Sequence, residues 1–232
     1  MNRRKRQAAA GITAVAVLLA TTGLALGGAH TWRVNEMFTN SCGDIQFIEL
    51  REINGGPGET GVNGHNVTSN SKSYTIPGPA LTPPTGFKTL LFATPAFAAL
   101  PGVPTPDYIF PAGSVPFFSA GGDTVKYIPY STVTFGAGIC PTNGILSLSG
   151  TLTTATNSPR NYAGATIVGG IDVSCSMSGD VNNDGAVNGD DIPGFIRVIT
   201  AAPIAGDKIG CANYCGGTLA ANIAAFVNDL LN

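Results

Sequence analysis

The stretch Asp180-Val-Asn-Asn-Asp-Gly-Ala-Val-Asn-Gly-Asp-Asp191 places oxygen-bearing side chains at regular intervals around one glycine. Calcium takes about six to eight hard oxygen ligands, and a calcium loop supplies them from its first, third, fifth, seventh, ninth and twelfth places, the seventh through a backbone carbonyl. Those places hold, in order, Asp180, Asn182, Asp184, Ala186, Asn188 and Asp191. Gly185, at the sixth place, permits the sharp turn because it has no Cβ. A polar turn without metal is the alternative, but this register favours calcium.

A helix is predicted directly after this loop. Ile192, Phe195, Ile196 and Ile199 fall on one helical face, and Pro193 is tolerated in a first turn. The segment before the loop, residues 173–179, is rich in Ser and Gly and too short for an entering helix. We therefore predict one helix, over about 192–200, on the exit side of the loop.

A calcium loop with only an exit helix resembles the dockerin type I repeat. That resemblance implies a small α-helical domain, residues 180–232, that attaches exported proteins to cohesin domains and carries a second repeat. The family's recognition positions, at the tenth and eleventh places, correspond to Gly189 and Asp190 here, and the second repeat has Ala220 and Ala221.

A shift of 31 residues finds the second repeat in altered form. It sets Ile192-Pro-Gly-Phe-Ile196 over Ile223-Ala-Ala-Phe-Val227, and predicts a degenerate loop over 211–222 and a helix over about 219–231. The same shift replaces Asp180 by Cys211 and Asp184 by Cys215. Since these places converge on one ion in an intact loop, we predict a Cys211–Cys215 disulfide; a soft-metal site is the alternative, although two thiols without a histidine are a poor zinc site.

The amino terminus has the pattern of an export signal over residues 1–29. A basic start, Arg3-Arg-Lys-Arg6, precedes a nearly apolar run from Ala8 to Leu26, and Gly27 and Ala29 are the small residues of a cleavage site. An uncleaved membrane anchor is the alternative, because the run approaches the ~20 residues that a span needs. Either outcome places the rest of the chain outside the cell, secreted or at the cell surface.

Composition narrows the class of protein. Without the signal the chain has 8 basic and 14 acidic residues, so its net charge falls from −2 to −6. This charge argues against a nucleic-acid partner, which calls for a basic patch. Charged residues are only 11 % of the chain, whereas Gly and Pro number 31 and 16, which is typical of a β-rich exported domain with many turns.

Residues 30–168 are predicted to form one β-sandwich, because short strand candidates alternate with Gly/Pro turns. The candidates are Trp32–Phe38, Ile45–Ile53, Ser73–Ile76, Thr89–Ala93, Tyr108–Phe110, Asp123–Ile128, Ser131–Phe135 and Ile145–Leu148, with a short helix over Pro95–Ala99. Residues 169–179 are predicted to be a linker that lets the two domains reorient, unless a last strand extends through Ile171 and Val173.

Parts of this region are similar to the bacterial lamin-tail domain, an immunoglobulin-like sandwich. The resemblance rests on Trp32-Arg-Val-Asn-Glu36, Gln46-Phe-Ile-Glu-Leu50, Lys88-Thr-Leu-Leu-Phe92, Gly122-Asp-Thr-Val125 and Asn157-Ser-Pro-Arg-Asn161. It implies an extracellular recognition or scaffold role without catalytic residues. The predicted fold is therefore mainly β, with an immunoglobulin-like sandwich followed by a dockerin-like domain.

Five cysteines cannot all pair within one chain. Cys42 lies in the turn before the second predicted strand, and Cys140 follows Phe135-Gly-Ala-Gly-Ile139. Such ends can meet in a sandwich, so we predict a Cys42–Cys140 disulfide and leave Cys175 free or available to a partner.

Two alternatives give the sandwich a function of its own. Glu36 and Glu49 could be the paired carboxylates of a polysaccharide hydrolase, although a structural role is favoured. His65 lies in a loop without a nucleophile motif beside it, so no triad is predicted. Six aromatic residues could stack on sugars if they were exposed, although core packing explains them equally well: Tyr74, Tyr108, Phe117, Phe118, Tyr127 and Tyr130.

The sequence thus predicts an exported, non-catalytic recognition or scaffold protein with calcium as its cofactor. Its candidate partners are a cohesin-like or cell-surface protein and a polysaccharide. The dockerin-like domain either attaches the protein to a partner or acts as a clasp on its own sandwich.

Overall fold

A computed structural model describes residues 27–215 and 218–231 of the chain. Residues 1–26 of the predicted signal lie outside the described residues. Its last residues lie against the sandwich: Ala29 is buried in the main core, and Gly28 exchanges backbone hydrogen bonds with Gly58 and Gly61. No helix in the described ranges has the length and apolar character needed to cross a membrane.

The described residues form a mainly β structure with ten strands and few helices. The strands are β1 (Trp32–Thr39), β2 (Gln46–Glu52), β3 (Asn66–Thr68), β4 (Ser73–Thr75), β5 (Thr89–Ala93), β6 (Tyr108–Ile109), β7 (Asp123–Ile128), β8 (Ser131–Phe135), β9 (Leu146–Ser149) and β10 (Thr154–Thr156). The helices are α1 (Pro95–Ala98), α2 (Ile192–Ile199) and α3 (Leu219–Leu230), with single 3₁₀ turns at Ala112–Ser114, Gly189–Asp191 and Ile209–Ala212. Every strand predicted from sequence is present, and β3 and β10 were missed.

The strands form two sheets that enclose the main core. The larger sheet has the order β10-β9-β1-β2-β5-β6 and the smaller has the order β4-β3-β7-β8. Neighbours are antiparallel except β5 and β6, which are parallel. Strand β8 shows the cause of this arrangement: Ser131, Val133 and Phe135 are buried while the residues between them are exposed, so one face of the strand packs inward.

A bulge in β1 decides which side chains face away from this core. The pairing of β1 with β2 shifts between Val34 and Glu36. Before the bulge Val34 faces the main core, and after it Met37 does so. Glu36 and Phe38 are thereby turned to the outer face of the larger sheet, because successive side chains in a strand point to opposite faces.

This outer face is covered by α1 and by residues 157–173, which we call the strap. A second apolar cluster joins Phe38 and Phe47 of the sheet to Phe97 of α1 and to Ile171 and Val173 of the strap. Ile171 and Val173 of the predicted linker are therefore packed against the sheet, and reorientation of the domains stays a prediction. Ile171 and Val173 form no ladder strand, but they are buried at 4 % and 5 % exposure, because burying two branched side chains on an apolar sheet face is favourable.

Asn157 holds the strap in this position. Its amide donates to the carbonyls of Ile145 at 2.6 Å and Ile171 at 2.7 Å, and its carbonyl accepts from the backbone N–H of Ile171 at 2.8 Å. These bonds satisfy backbone groups that would otherwise be buried without partners.

The C-terminal region packs around a third apolar cluster. The rings of Phe195 in α2 and Phe226 in α3 stack with their centroids 3.9 Å apart, and Val181 completes the contact. The two phenylalanines are 31 residues apart and occupy matching positions of the predicted repeats. Helix α2 spans Ile192–Ile199 and α3 spans Leu219–Leu230, close to the predicted bounds.

Candidate functional site

The Asp180–Asp191 loop closes tightly just before α2. Gly185 adopts a φ of 90° and Asn183 a φ of 59°, so the chain enters the left-handed region twice within the loop. Glycine reaches this region without a clash, and Asn is tolerated there. The glycine at the sixth place therefore has the role that the sequence predicts for it.

Two buried carboxylates organise the loop. Asp180, 3 % exposed, accepts the backbone N–H groups of Asp184 and Gly185, each at 3.0 Å. Asp191, fully buried, accepts from Val181 at 2.8 Å and from Asn182 and Asn188 at 3.0 Å. The first and last residues of the loop thus draw its backbone around a common centre.

The other predicted ligands lie on the exposed side of the same loop. Asn182 donates its amide to Asp184 Oδ2 at 2.9 Å, and Asp184 Oδ1 accepts from the N–H of Ala186 at 3.0 Å. Asn188 caps the following turn by accepting from Asp190 N at 2.7 Å. The structure therefore brings all six predicted residues into one short loop.

The donor set is the kind that calcium prefers. Its atoms are carboxylate, amide and carbonyl oxygens, which suit a hard cation and not a soft one. No Lys or Arg of the described residues forms an ion pair with Asp180, Asp184 or Asp191. Against this, no three His, Cys, Asp or Glu side chains in the described ranges converge as a metal cluster, because Asp180 and Asp191 face backbone N–H groups. The types of donor and their spacing along the sequence are those of a calcium loop, whereas the side chains are not arranged around one point.

The degenerate loop keeps a trace of the first one. Asn213 accepts from Cys215 N at 3.1 Å, which matches, after the 31-residue shift, the 3.0 Å bond from Asp184 N to Asn182. Asn222, at the place of Asp191, likewise accepts from Tyr214 N at 3.2 Å. The described part of the degenerate loop therefore keeps one hydrogen bond of the Asp180–Asp191 loop without its carboxylates.

The predicted disulfides are wrong in their partners. Cys215 pairs with Cys42, and Cys211 pairs with Cys175. Cys140, predicted to pair with Cys42, is a free buried thiol, and burial raises its pKa to about 11. The two cysteines of the degenerate loop do not face each other. Cys215 meets the turn between β1 and β2, and Cys211 meets the segment before the calcium loop.

No protein-family model matches this chain, and no curated protein is similar to it. The geometry of the described residues therefore carries the functional interpretation. The two disulfides are typical of an oxidising compartment.

Glu36 and Glu49 are brought together as the sequence alternative required. They are direct partners across β1 and β2, and they are 5 % and 3 % exposed. Burial, followed by the charge of Glu36, raises the pKa of Glu49 to about 8. Near neutral pH the pair therefore holds a proton on Glu49.

Both carboxyl groups are engaged by the strap. Glu36 accepts from Ser158 N at 2.8 Å, Ser158 Oγ at 2.9 Å and Ser147 Oγ at 2.7 Å. Glu49 accepts from Arg160 N at 2.9 Å and from Asn35 Nδ2 at 2.7 Å. These contacts pin the strap to the sheet, which is the structural role favoured for the pair.

The remaining sequence candidates do not form a site. His65 is half-buried, with its ring 5.3 Å from that of Tyr130, and no nucleophile among the described residues is placed beside it. Phe117, Phe118 and Tyr127 are buried in the main core. Tyr74, Tyr108 and Tyr130 pack against it. The aromatic residue that is exposed is Phe87, at 61 %, which sequence reasoning missed.

Proposed function

We propose that this protein is an exported, non-catalytic β-sandwich scaffold whose C-terminal region is a calcium-dependent clasp. The observation that carries the proposal is the Cys42–Cys215 disulfide. It joins the degenerate loop to the sandwich through Cys215. In an intact second repeat this position would carry a ligand of the metal ion. In this proposal the dockerin-like region is attached to the sandwich of the same chain and not to a separate partner protein.

Further contacts between the sandwich and the C-terminal region support the clasp. Asn213 donates its amide to Asp44 Oδ2 at 2.8 Å, and Asp44 also accepts from Asn40 at 2.7 Å through Oδ1. Ile209 packs against the second apolar cluster. Lys208 Nζ lies 3.6 Å from Asp172, an exposed pair of small energetic value.

Calcium has a defined role in this proposal. Bound to the loop, it neutralises Asp180, Asp184 and Asp191, whose mutual repulsion opposes the closed loop. The loop leads directly into α2, whose Phe195 stacks on Phe226 of α3. Ordering the loop therefore stabilises the helices that carry the clasp, as for any ligand that binds only the folded state.

Calcium is expected to raise the melting temperature of the full chain. At about 10 mM calcium and a Kd of about 0.1 mM the gain is ~2.7 kcal/mol, or about 5–10 °C for a chain of this size. Asp184→Ala should abolish this shift, because it removes a predicted calcium ligand. The fold should tolerate the change, because the Asp184 side chain is exposed. Differential scanning calorimetry in calcium and in chelator measures both.

The same loop supplies the control. Asp190 is acidic and exposed, lies one residue before Asp191, and stands at none of the ligand places. Asp190→Ala should keep the calcium shift. Equal melting temperatures of the unmodified protein in calcium and chelator, with no heat of calcium binding, would refute the proposal.

The fit of the clasp is tested at Gly210. A Cβ at this position would lie 2.1 Å from the carbonyl oxygen of Val173, so Gly210→Ala must displace backbone that joins the strap to the C-terminal region. We expect a loss of ~1–3 kcal/mol in unfolding free energy, as for other overpacked sites. Gly189→Ala is the control, because a Cβ added at Gly189 would meet no atom within 4 Å, and urea unfolding of the two variants should differ clearly.

Attachment to a cohesin-like or cell-surface protein is the second candidate. Ile192 and Ile196 of α2, with their repeat equivalents Ile223 and Val227 of α3, are 38–51 % exposed. Exposed apolar side chains at matching positions of two helices favour a docking role. Ile196→Asp combined with Val227→Asp should then abolish binding to a cohesin domain in calorimetry, and no binding by the unmodified protein would exclude this partner.

A further inference from the structure

The open end of the outer sheet face holds a small polar cavity of about 240 Å³. The strap and the bulge of β1 form two of its walls. We call it the arginine pocket, and the residues used below are Asn35, Glu49, Arg51, Phe87, Ser158 and Arg160. It is separate from the calcium loop and does not depend on the clasp.

Two arginines at the rim of this pocket lack a close carboxylate partner among the described residues. Arg51 and Arg160 are exposed, and neither forms an ion pair within the described part of the chain. Arg197 shows the contrast, because it binds Asp207 through two hydrogen bonds of 2.9 and 2.6 Å. In a chain of negative net charge, two unpaired guanidinium groups around one cavity form a local anion site.

The carboxyl group on the inner wall of the pocket opposes an anion less than an ionised carboxylate would. Glu49 lies at 3 % exposure, and its pKa of about 8, raised by burial and then by the charge of Glu36, keeps its carboxyl group neutral near pH 7. Glu36 itself is engaged by Ser147 and Ser158. The amide of Asn35, which donates to Glu49 at 2.7 Å, adds a polar group that can also accept.

Phe87 presents an aromatic ring at the mouth of the pocket. It is 61 % exposed and has a φ of 58°, a left-handed conformation that is uncommon for a bulky residue. Its backbone N–H donates to Glu52 Oε2 at 2.9 Å, and its ring lies against Gly55, where a Cβ would come within 2.8 Å of it. The backbone is therefore held so that the ring is displayed and not buried, and strain of this kind concentrates at functional sites.

We propose that the arginine pocket binds a uronic-acid residue of an acidic polysaccharide. The planar guanidinium groups of Arg51 and Arg160 match a carboxylate, which they can bind through paired N–H donors. Phe87 offers an apolar plate for the C–H face of the sugar ring, and Ser158 and Asn35 meet its hydroxyl groups. The cavity is smaller than the ~300–1,000 Å³ of a site for drug-sized ligands, so it takes one sugar residue while the open rim lets the polymer continue.

Titration calorimetry of the full chain with a galacturonic-acid trisaccharide tests this proposal. We expect saturable binding that weakens as the salt concentration rises, because salt screens the attraction between the two arginines and the carboxylates of the sugar. The galactose trisaccharide, which lacks the carboxylates, should bind at least about tenfold more weakly, the loss that goes with charged hydrogen bonds. Measurements in both calcium and chelator separate this result from the fate of the clasp.

Three variants locate the site. Arg51→Gln and Arg160→Gln should each raise the Kd at least about tenfold, whereas Lys126→Gln, a basic residue on β7 of the other sheet, should leave it unchanged. Phe87→Asn should also weaken binding, because Asn tolerates the left-handed backbone but removes the ring. Melting temperatures confirm that each variant is folded.

Three outcomes would overturn the proposal. They are equal affinity for the galacturonic-acid and galactose trisaccharides, equal or tighter binding of a tri-aspartate peptide, and an unchanged Kd in both arginine variants. The second outcome would assign the pocket to an acidic peptide, which uses the arginines but does not require a plate for a sugar ring.

Discussion

The double substitution Cys42→Ser with Cys215→Ser should lower the free energy of unfolding by up to ~5 kcal/mol, the largest effect expected from any change in this protein. The bond links residues 173 apart in sequence, and the chain-entropy model gives ~5 kcal/mol for a closed loop of that length. Replacing both residues avoids a lone thiol that could exchange with the other cysteines. Urea unfolding under non-reducing conditions measures the loss.

The Cys175–Cys211 bond and Cys140 provide the comparison. The first spans 36 residues, so its removal should cost less, ~4 kcal/mol in the same model. Cys140→Ala removes a buried thiol that has no covalent partner and should cost only ~1 kcal/mol, as for a small loss of buried volume. An unfolding midpoint for Cys42→Ser with Cys215→Ser equal to that of Cys140→Ala would contradict the clasp. Peptide mapping of the unreduced chain checks the pairing directly.

Glu49 should make the protein lose stability as the pH rises from about 4.5 to about 8. Its folded-state pKa of about 8 lies above the ordinary value of 4.5, so between these values the folded state binds more protons than the unfolded state. The stabilising contribution is therefore complete below about pH 4.5 and is lost as pH rises through 8. The limit is ~1.4 kcal/mol for each pH unit of the shift, or roughly 3–5 kcal/mol in all.

The cause of this loss is local. Above pH 8 two carboxylates face each other across β1 and β2, since Glu36 is the partner of Glu49. Arg160, on the strap, partly offsets the repulsion. Because Glu36 and Glu49 interact, the transition belongs to the pair and not to one residue.

Glu49→Gln tests the assignment. The amide keeps the shape of the neutral acid and cannot ionise, so unfolding free energies measured between pH 5 and 9 should fall much less steeply than in the unmodified protein. Some slope should persist, because burial also raises the pKa of Asp107. Asp190→Asn, an exposed change in the C-terminal loop, should leave the slope intact. Parallel pH profiles of the Glu49→Gln variant and the unmodified protein would show that the pair does not titrate in this window.

Much of the β-structure could be predicted from local pattern. Strands β5, β7 and β8 have the bounds expected from sequence; β7 and β8 alternate between buried and less buried residues, and β5 is a short run of buried residues, and both patterns lie in neighbouring residues. Strands β3 and β10 were missed: β3 has one buried residue among three and β10 has none, so little apolar pattern marks them. The 31-residue shift aligned Phe195 with Phe226, and the stacking of their rings was seen only in the structure.

The two candidate sites also differ in how far the sequence alone predicts them. The six predicted ligand positions of the Asp180–Asp191 loop lie within twelve residues, so the sequence alone was enough to predict them, and the predicted turn at Gly185 is confirmed. The arginine pocket was not predictable, because Arg51, Phe87 and Arg160 come from three separate segments. The exposure of Phe87 depends on a backbone conformation that its own side chain does not favour.

The sequence by itself determined the class of fold, the oxygen-rich loop and the helices that follow its two copies, since these depend on residues close together in the chain. The tertiary structure alone decided which cysteines bond, how Glu36 meets Glu49 and why Ile171 and Val173 of the predicted linker pack against the sheet. Carboxylate pairing depends on the register between β1 and β2, and disulfide connectivity depends on the packing of segments 36 and 173 residues apart. A single bulge between Val34 and Glu36 sets the register between β1 and β2, and no local sequence pattern predicts this bulge.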